Sequence, residues 1–168
     1  MGSPVLEQTI RTFSADRQAG RTTPAVSAAL ANGHVRLSAG PFNWDADLPV
    51  GIGGGNQAPS PTAYLLGALA GCAVAFVYDT LAPEFGVDVD DLSATARCES
   101  DLAGLLDIDG AVPDLQALTL DIELVSPSPA DKVDALRRAW LERCPIYLAL
   151  LRPNDVTVDL RRVERPAP

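Results

Sequence analysis

Three cysteines, Cys72, Cys98 and Cys144, and a single histidine, His34, bound the chemistry open to this chain of 168 residues. A Ser-His-Asp triad would have to be built on His34 alone, and zinc sites needing two or more histidines are impossible. No Cys-x-x-Cys pair exists, which excludes thioredoxin-type exchange and zinc ribbons. Cys72 lies inside the uncharged apolar run from Ala63 to Tyr78. Taken alone, a free cysteine in such a run is a small hydrophobe. Cys144 differs, because Pro145 follows it as the first residue of a short apolar helix. Unpaired N–H groups and the positive end of a helix favour a thiolate at that place. Cys98 shares a period-two pattern with Ala94 and Ala96 and reads as packing.

The elements that position these cysteines are legible in outline. Glu7 to Ser14 alternates loosely and reads as a strand. Asn32-Gly33 is a type I′ hairpin signal joining Ala25–Ala31 to His34–Ala39, and Phe42–Leu48 alternates after Gly40-Pro41. The glycine-rich stretch 49–60 lacks Gly-Lys-Ser/Thr and follows a meander, so it reads as a flexible connector and not as a phosphate loop. Ser60 is an N-cap and Pro61 suits the first helical position. The helix they open runs to about Leu81, before Pro83, and is apolar nearly all round. A helix with no wet face must be covered on every side. One sheet of one chain would struggle to do so, which points to a second subunit. Strands follow at Val87–Asp101 and Leu115–Val125, then an amphipathic helix over Pro129–Glu142, a short helix over Ile146–Leu151 and a last strand over Val156–Val163. This order is α+β with antiparallel sheets.

Composition narrows the function further. Hydrophobic residues make up 47% and charged residues 21%, which fits one globular domain. Such a domain is expected to bury roughly two thirds of its unfolded surface. The net charge of −9 repels phosphate backbones and anionic lipid, so neither a nucleic-acid nor a membrane partner is expected. The N-terminus carries no basic patch and no apolar core, and so does not read as a signal peptide. The run Ala63 to Tyr78 is short for a bilayer span. A cytoplasmic protein with reduced thiols is the expectation.

Two segments together carry a resemblance. Ser60-Pro61-Thr62-Ala63-Tyr64-Leu65-Leu66-Gly67-Ala68-Leu69-Ala70-Gly71-Cys72 resembles the signature of the OsmC/Ohr family, a Pro-led, Leu- and Ala-rich helix that ends its motif on a cysteine. Arg143-Cys144-Pro145 before a short apolar helix resembles that family's second cysteine motif, and Phe42 to Gly55 is also similar. The resemblance implies an OsmC-like α+β fold, with antiparallel sheets around a long buried central helix in an intertwined homodimer. The matching domain is taken as 25–165, with an N-terminal extension (1–24) open to being an edge strand and a frayed tail (166–168).

The same resemblance implies a peroxidase acting on small organic hydroperoxides, with Cys72 peroxidatic and Cys144 resolving. It implies no bound cofactor and no metal, and an external dithiol or lipoyl-type reductant. In the family an arginine keeps the peroxidatic thiol ionised, and a glutamate near the helix start holds the arginine. Thr62 and Ala63 occupy the glutamate's positions here, and no glutamate lies between Glu7 and Glu84. Arg36 is the candidate for the arginine, ahead of Arg17 and Arg21. Asp45 or Asp47 is a substitute anchor, and His34 is another activating group. A cation matters because burial in an apolar helix raises a thiol's pKa. The missing glutamate also motivates an alternative, an OsmC-fold dimer that binds a small apolar ligand between its subunits with little or no turnover.

Overall fold

The hairpin signal is realised in the backbone. Asn32 and Gly33 hold positive φ, 54° and 81°, and join β1 (Ser27–Ala31) to β2 (His34–Ala39) with Ala31 opposite His34. β3 (Phe42–Ala46) returns alongside β2, so the first sheet is an antiparallel meander in the order β1-β2-β3. The computed structural model describes residues 4–152 and 155–163.

The N-terminal extension is a helix, α1 (Pro4–Ala15), and not a strand. Leu6, Ile10 and Phe13 recur at helical spacing, which outweighs the loose alternation in Glu7–Ser14. A 3-10 turn, Arg17–Gly20, follows, capped by the Asp16 side chain on Gln18 N–H at 2.8 Å.

Ser60 caps α2 (Pro61–Phe76), its Oγ accepting from Ala63 N–H at 3.2 Å, with Pro61 in the first turn as its missing donor permits. The helix does not stop before Pro83. A π turn, Val77–Leu81, links α2 to a single turn α3 (Ala82–Phe85). Ala82 N–H reaches back to Val77 C=O across this wider turn, and the run then absorbs Pro83 without a break. Gly86, at φ 62°, ends it. The whole run Pro61–Phe85 is 25 residues, longer than the sequence suggests, and by length and composition alone is long and apolar enough to cross a membrane. Here its Ala73-Val77-Leu81 stripe packs into the protein core.

That core lies between the helical run and the second sheet. β4 (Asp91–Glu99) pairs antiparallel with β5 (Gln116–Val125), Leu92 opposite Leu124 and Ala96 opposite Leu120. Cys98 sits at a break in register between Arg97 and Glu99. Residues 87–90, expected in the strand, form an irregular segment that leads into it. α4 (Ala130–Arg143) buries Leu136, Ala139 and Trp140 against the run, with Asp134, Arg137 and Arg138 outward, and α5 (Pro145–Leu151) follows after Cys144.

The last expected strand is not formed. Residues 155–163 pair with nothing among the described residues. Val156 is 81% exposed and Leu160 96%. A strand is a pairing, and alternation in Val156, Val158 and Leu160 supplies only one side of it.

The helical run is covered on one side only. Leu69, Ala73, Val77 and Leu81 are buried, while Ala63, Gly67, Ala68, Gly71, Ala75 and Tyr78 are exposed. A Cβ built at Gly67 or Gly71 would meet nothing within 4 Å. Accessible surface totals 12738 Å², against about 7,900 Å² for a compact monomer of this mass. The chain by itself therefore buries about half of its unfolded surface, not two thirds.

Candidate active site

α2 and the α4–α5 junction bring two sulfurs together. Cys72 Sγ lies 3.4 Å from Cys144 Sγ, and both thiols are free. Cys72 is half-buried on α2, and Cys144 is 0% exposed. Backbone bonds fix Cys144 in place: its N–H donates to Trp140 C=O at 2.9 Å and its C=O accepts from Leu148 N–H at 3.0 Å. A disulfide needs about 2.05 Å, so closing the gap takes roughly 1.4 Å of movement.

Charge at the pair is set by opposing effects. Burial pushes the Cys72 thiol above its ordinary range; the hydrogen bond with Cys144 and the charge of Cys144 push it the same way. The Ile146 backbone N–H pulls it down. Cys144 makes no side-chain cap bond to α5. The first turn of α5, expected to favour a thiolate on Cys144, therefore sends an amide to Cys72. Sequence reasoning missed Ile146, because a backbone donor leaves no residue-type signal. Among the described residues, no cation is among the influences acting on Cys72.

Arg36 sits elsewhere. Its Nε pairs with Asp45 Oδ1 at 2.7 Å, across the β2–β3 register, with both side chains about half exposed. Asp45, one of the two anchors weighed from the sequence, thus holds it. Tyr64 O–H donates to the Asp45 backbone C=O, which ties β3 to the first turn of α2. Tyr64 and Cys72 are eight residues apart on that helix, or about 12 Å. Arg17, Arg21 and His34 are exposed.

Asp47, the other anchor weighed, has a different task. Its carboxylate accepts from Gln57 N–H at 3.0 Å, Leu48 N–H at 2.8 Å and Gly55 N–H at 3.0 Å. The Gln57 bond leads in holding its pKa below the usual carboxylate range, followed by the Leu48 bond. The glycine-rich stretch is thus strapped down and is not a free connector. A Cβ at Gly54 would lie 1.9 Å from Leu48 O, so no side chain fits there.

A separate apolar cavity of about 560 Å³ opens between β5, α4 and α5, lined by Leu69, Leu92, Leu120, Leu124, Leu136 and Trp140 among others. Neither Cys72 nor Cys144 lines it. Among the described residues, no group of three His, Cys, Asp or Glu side chains converges to hold a metal.

A family model described as OsmC-like protein matches residues 53–159, a span that holds both cysteines. The chain belongs to the OsmC-like family. Solved OsmC-like structures share its fold. One from Mycoplasma pneumoniae superposes with a TM-score of 0.64 at 19% identity, over 77% of this chain and 88% of that one. An OsmC-like hydroperoxide resistance protein from a Jannaschia species gives 0.53 at 22%, over 83% and 91%. An organic hydroperoxide resistance protein from Legionella pneumophila gives 0.50 at 22%, over 77% and 89%. A comparison with curated sequences returns no significant match.

Proposed function

We propose that this OsmC-like protein is a thiol peroxidase for small organic hydroperoxides, with Cys72 as the peroxidatic thiol and Cys144 as the resolving thiol. The observation that carries the reading is the 3.4 Å approach of the two sulfurs. Two cysteines this close, one half-buried and one fully buried, suit a cycle in which the reachable one meets the oxidant and the hidden one closes on it. Structural neighbours named for hydroperoxide resistance support the substrate class. An external dithiol or lipoyl-type reductant would restore both thiols, in a cytoplasm where free thiols are kept reduced.

The reading includes a second copy of the chain. Support comes from the exposed side of α2, from the unpaired 155–163 segment and from the surface excess over a compact monomer. That excess is far larger than the roughly 800 Å² each partner gives up in a standard interface. The cation that Cys72 lacks among the described residues of its own chain would come from the other copy, with Arg36 as candidate.

Thiol titration before and after one equivalent of cumene hydroperoxide tests the chemistry. Two thiols per chain should be lost, and none in Cys72→Ser. Survival of the wild-type thiols would overturn the peroxidase. The cavity favours a second reading, binding of an apolar ligand, although it lies within one chain and not between subunits. Stoichiometric dye binding alongside inert thiols is its expected signature.

A further inference from the structure

Arg143 ends α4 and immediately precedes Cys144. Its Nη2 lies 3.0 Å from Glu84 Oε2, and its guanidinium carbon sits 5.9 Å from the centre of the Phe85 ring. From the other end of α4, Lys132 Nζ donates to Gly86 C=O at 3.2 Å. Two long side chains, eleven residues apart on one helix, thus converge on the single turn Glu84–Gly86. That turn ends the same helical run that carries Cys72. The helix that presents Cys144 is thereby clamped to the run that presents Cys72.

Among the described residues, nothing polar besides Cys72 steadies the Cys144 side chain. Its sulfur has Cys72 as its one hydrogen-bond partner among the described residues. The spacing of the two sulfurs therefore follows from how rigidly the two helical elements hold each other. Arg143 is the charged link closest in sequence to Cys144, and its planar fork both pairs with a carboxylate and stacks on an aromatic face.

We propose that Glu84 and Arg143, backed by Phe85, are positioning residues for disulfide closure. The inference rests on the two-thiol reading. In the first step the Cys72 thiolate attacks the distal peroxide oxygen. An S–O bond forms, the O–O bond breaks, and the alkoxide takes a proton and leaves as alcohol. In the second step Cys144 attacks the sulfenic sulfur. An S–S bond forms, the S–O bond breaks, and hydroxide leaves with the Cys144 proton as water. The hydroperoxide is reduced by two electrons and the two thiols are oxidised to a disulfide. Glu84 and Arg143 touch no reacting atom. They act on the second step alone, where misplacement of about an ångström costs about a hundredfold in rate.

The test separates the two steps. Glu84→Gln keeps a neutral acceptor but loses the ion pair, so disulfide formation after cumene hydroperoxide should slow about tenfold. Sulfenic acid trapped by dimedone should accumulate meanwhile. In a Cys144→Ser background, Glu84→Gln should leave the rate of sulfenic acid formation unchanged. Arg143→Lys, which keeps the charge but not the stacked plane, should fall between Glu84→Gln and the wild type. In reduced Cys72→Ser/Cys98→Ser protein, Glu84→Gln should raise the rate of Cys144 alkylation. Wild-type closure rates in both folded variants would overturn the proposal. So would equal slowing of both steps, which marks a general loss of structure. If the wild type itself forms no disulfide, the peroxidase reading fails, and Cys144 alkylation alone decides the clamp: an unchanged rate ends it.

Discussion

The two sheets of this molecule are treated very differently by their own chain. Along β4 the residues alternate strictly between exposed and half-buried, and its inner row, Leu92 and Ala94, packs against the core of α2 and α4. Across β1–β3 only Ala46 is buried, and Leu30 and Phe42 stand in solvent, 80% and 70% exposed. Both sheets carry apolar side chains on antiparallel ladders, so the difference lies in what covers them. A sheet face is stable when another layer lies on it. One chain supplies that layer for β4–β5, and holds Cys144 beneath it. The β1–β3 meander, with Arg36, is left largely exposed, the face that the proposed second copy would cover.

The strongest way to break this contrast is to charge the open side of α2. Ala68→Glu should convert a species of twice the chain mass to one of single mass by light scattering, with a large loss of soluble protein. A wild type that is monomeric from the start would remove the contrast altogether. Leu81→Ala probes the finished half. Leu81 is 0% exposed, and its truncation should cost about 2–5 kcal/mol in urea unfolding. The same truncation at Leu30 should cost little unless an assembled partner covers it.

Cys72 sharpens the comparison by pH. Within one chain its thiol is held above the ordinary range, mainly by burial. Thiolate, and with it alkylation by iodoacetamide, is therefore gained only as pH rises. In the assembled protein the midpoint should drop relative to soluble single-chain Ala68→Glu, as a cation from the partner arrives. Coincident midpoints would mean that no such cation exists. Asp47 gives the smallest and most local effect. Its folded pKa is lowered, so the strap it makes is in place above the unfolded value near 3.9 and is lost as pH falls through the folded value. Amide exchange at Gly55 and Gln57 should accelerate in acid, and Asp47→Asn should be fast at neutral pH as well.

What the sequence revealed depended on whether the signal was local. Asn32-Gly33, Ser60-Pro61 and Cys144-Pro145 each specify a backbone event within two or three residues, and each turned up in place. Val156–Val163 has strand alternation but needs a partner edge, which no local pattern encodes. α1 is missed when Leu6 is left out: Ile10 and Phe13, three apart, share a helix face but fall on opposite faces of a strand, and only Leu6 makes the helical row plain. The glycines of 51–55 suggested looseness, whereas Asp47 supplies the acceptors that tie them down. In the site, both cysteines were visible and the clamp was not. Arg143 stands in a recognisable motif, but Glu84 follows Pro83, where the helix was expected to have ended.

The π turn at Val77–Leu81 explains why Glu84 faces α4 at all. Each residue of an α-helix advances the side-chain direction by about 100°. One residue looped out into a wider turn shifts everything beyond it by that angle. Upstream, α2 keeps the phase that aims Cys72 at the α4–α5 junction; downstream, the reset phase aims the carboxylate at the guanidinium. Removing a single residue from Val77–Leu81 would leave two intact helical pieces whose chemistry points in incompatible directions.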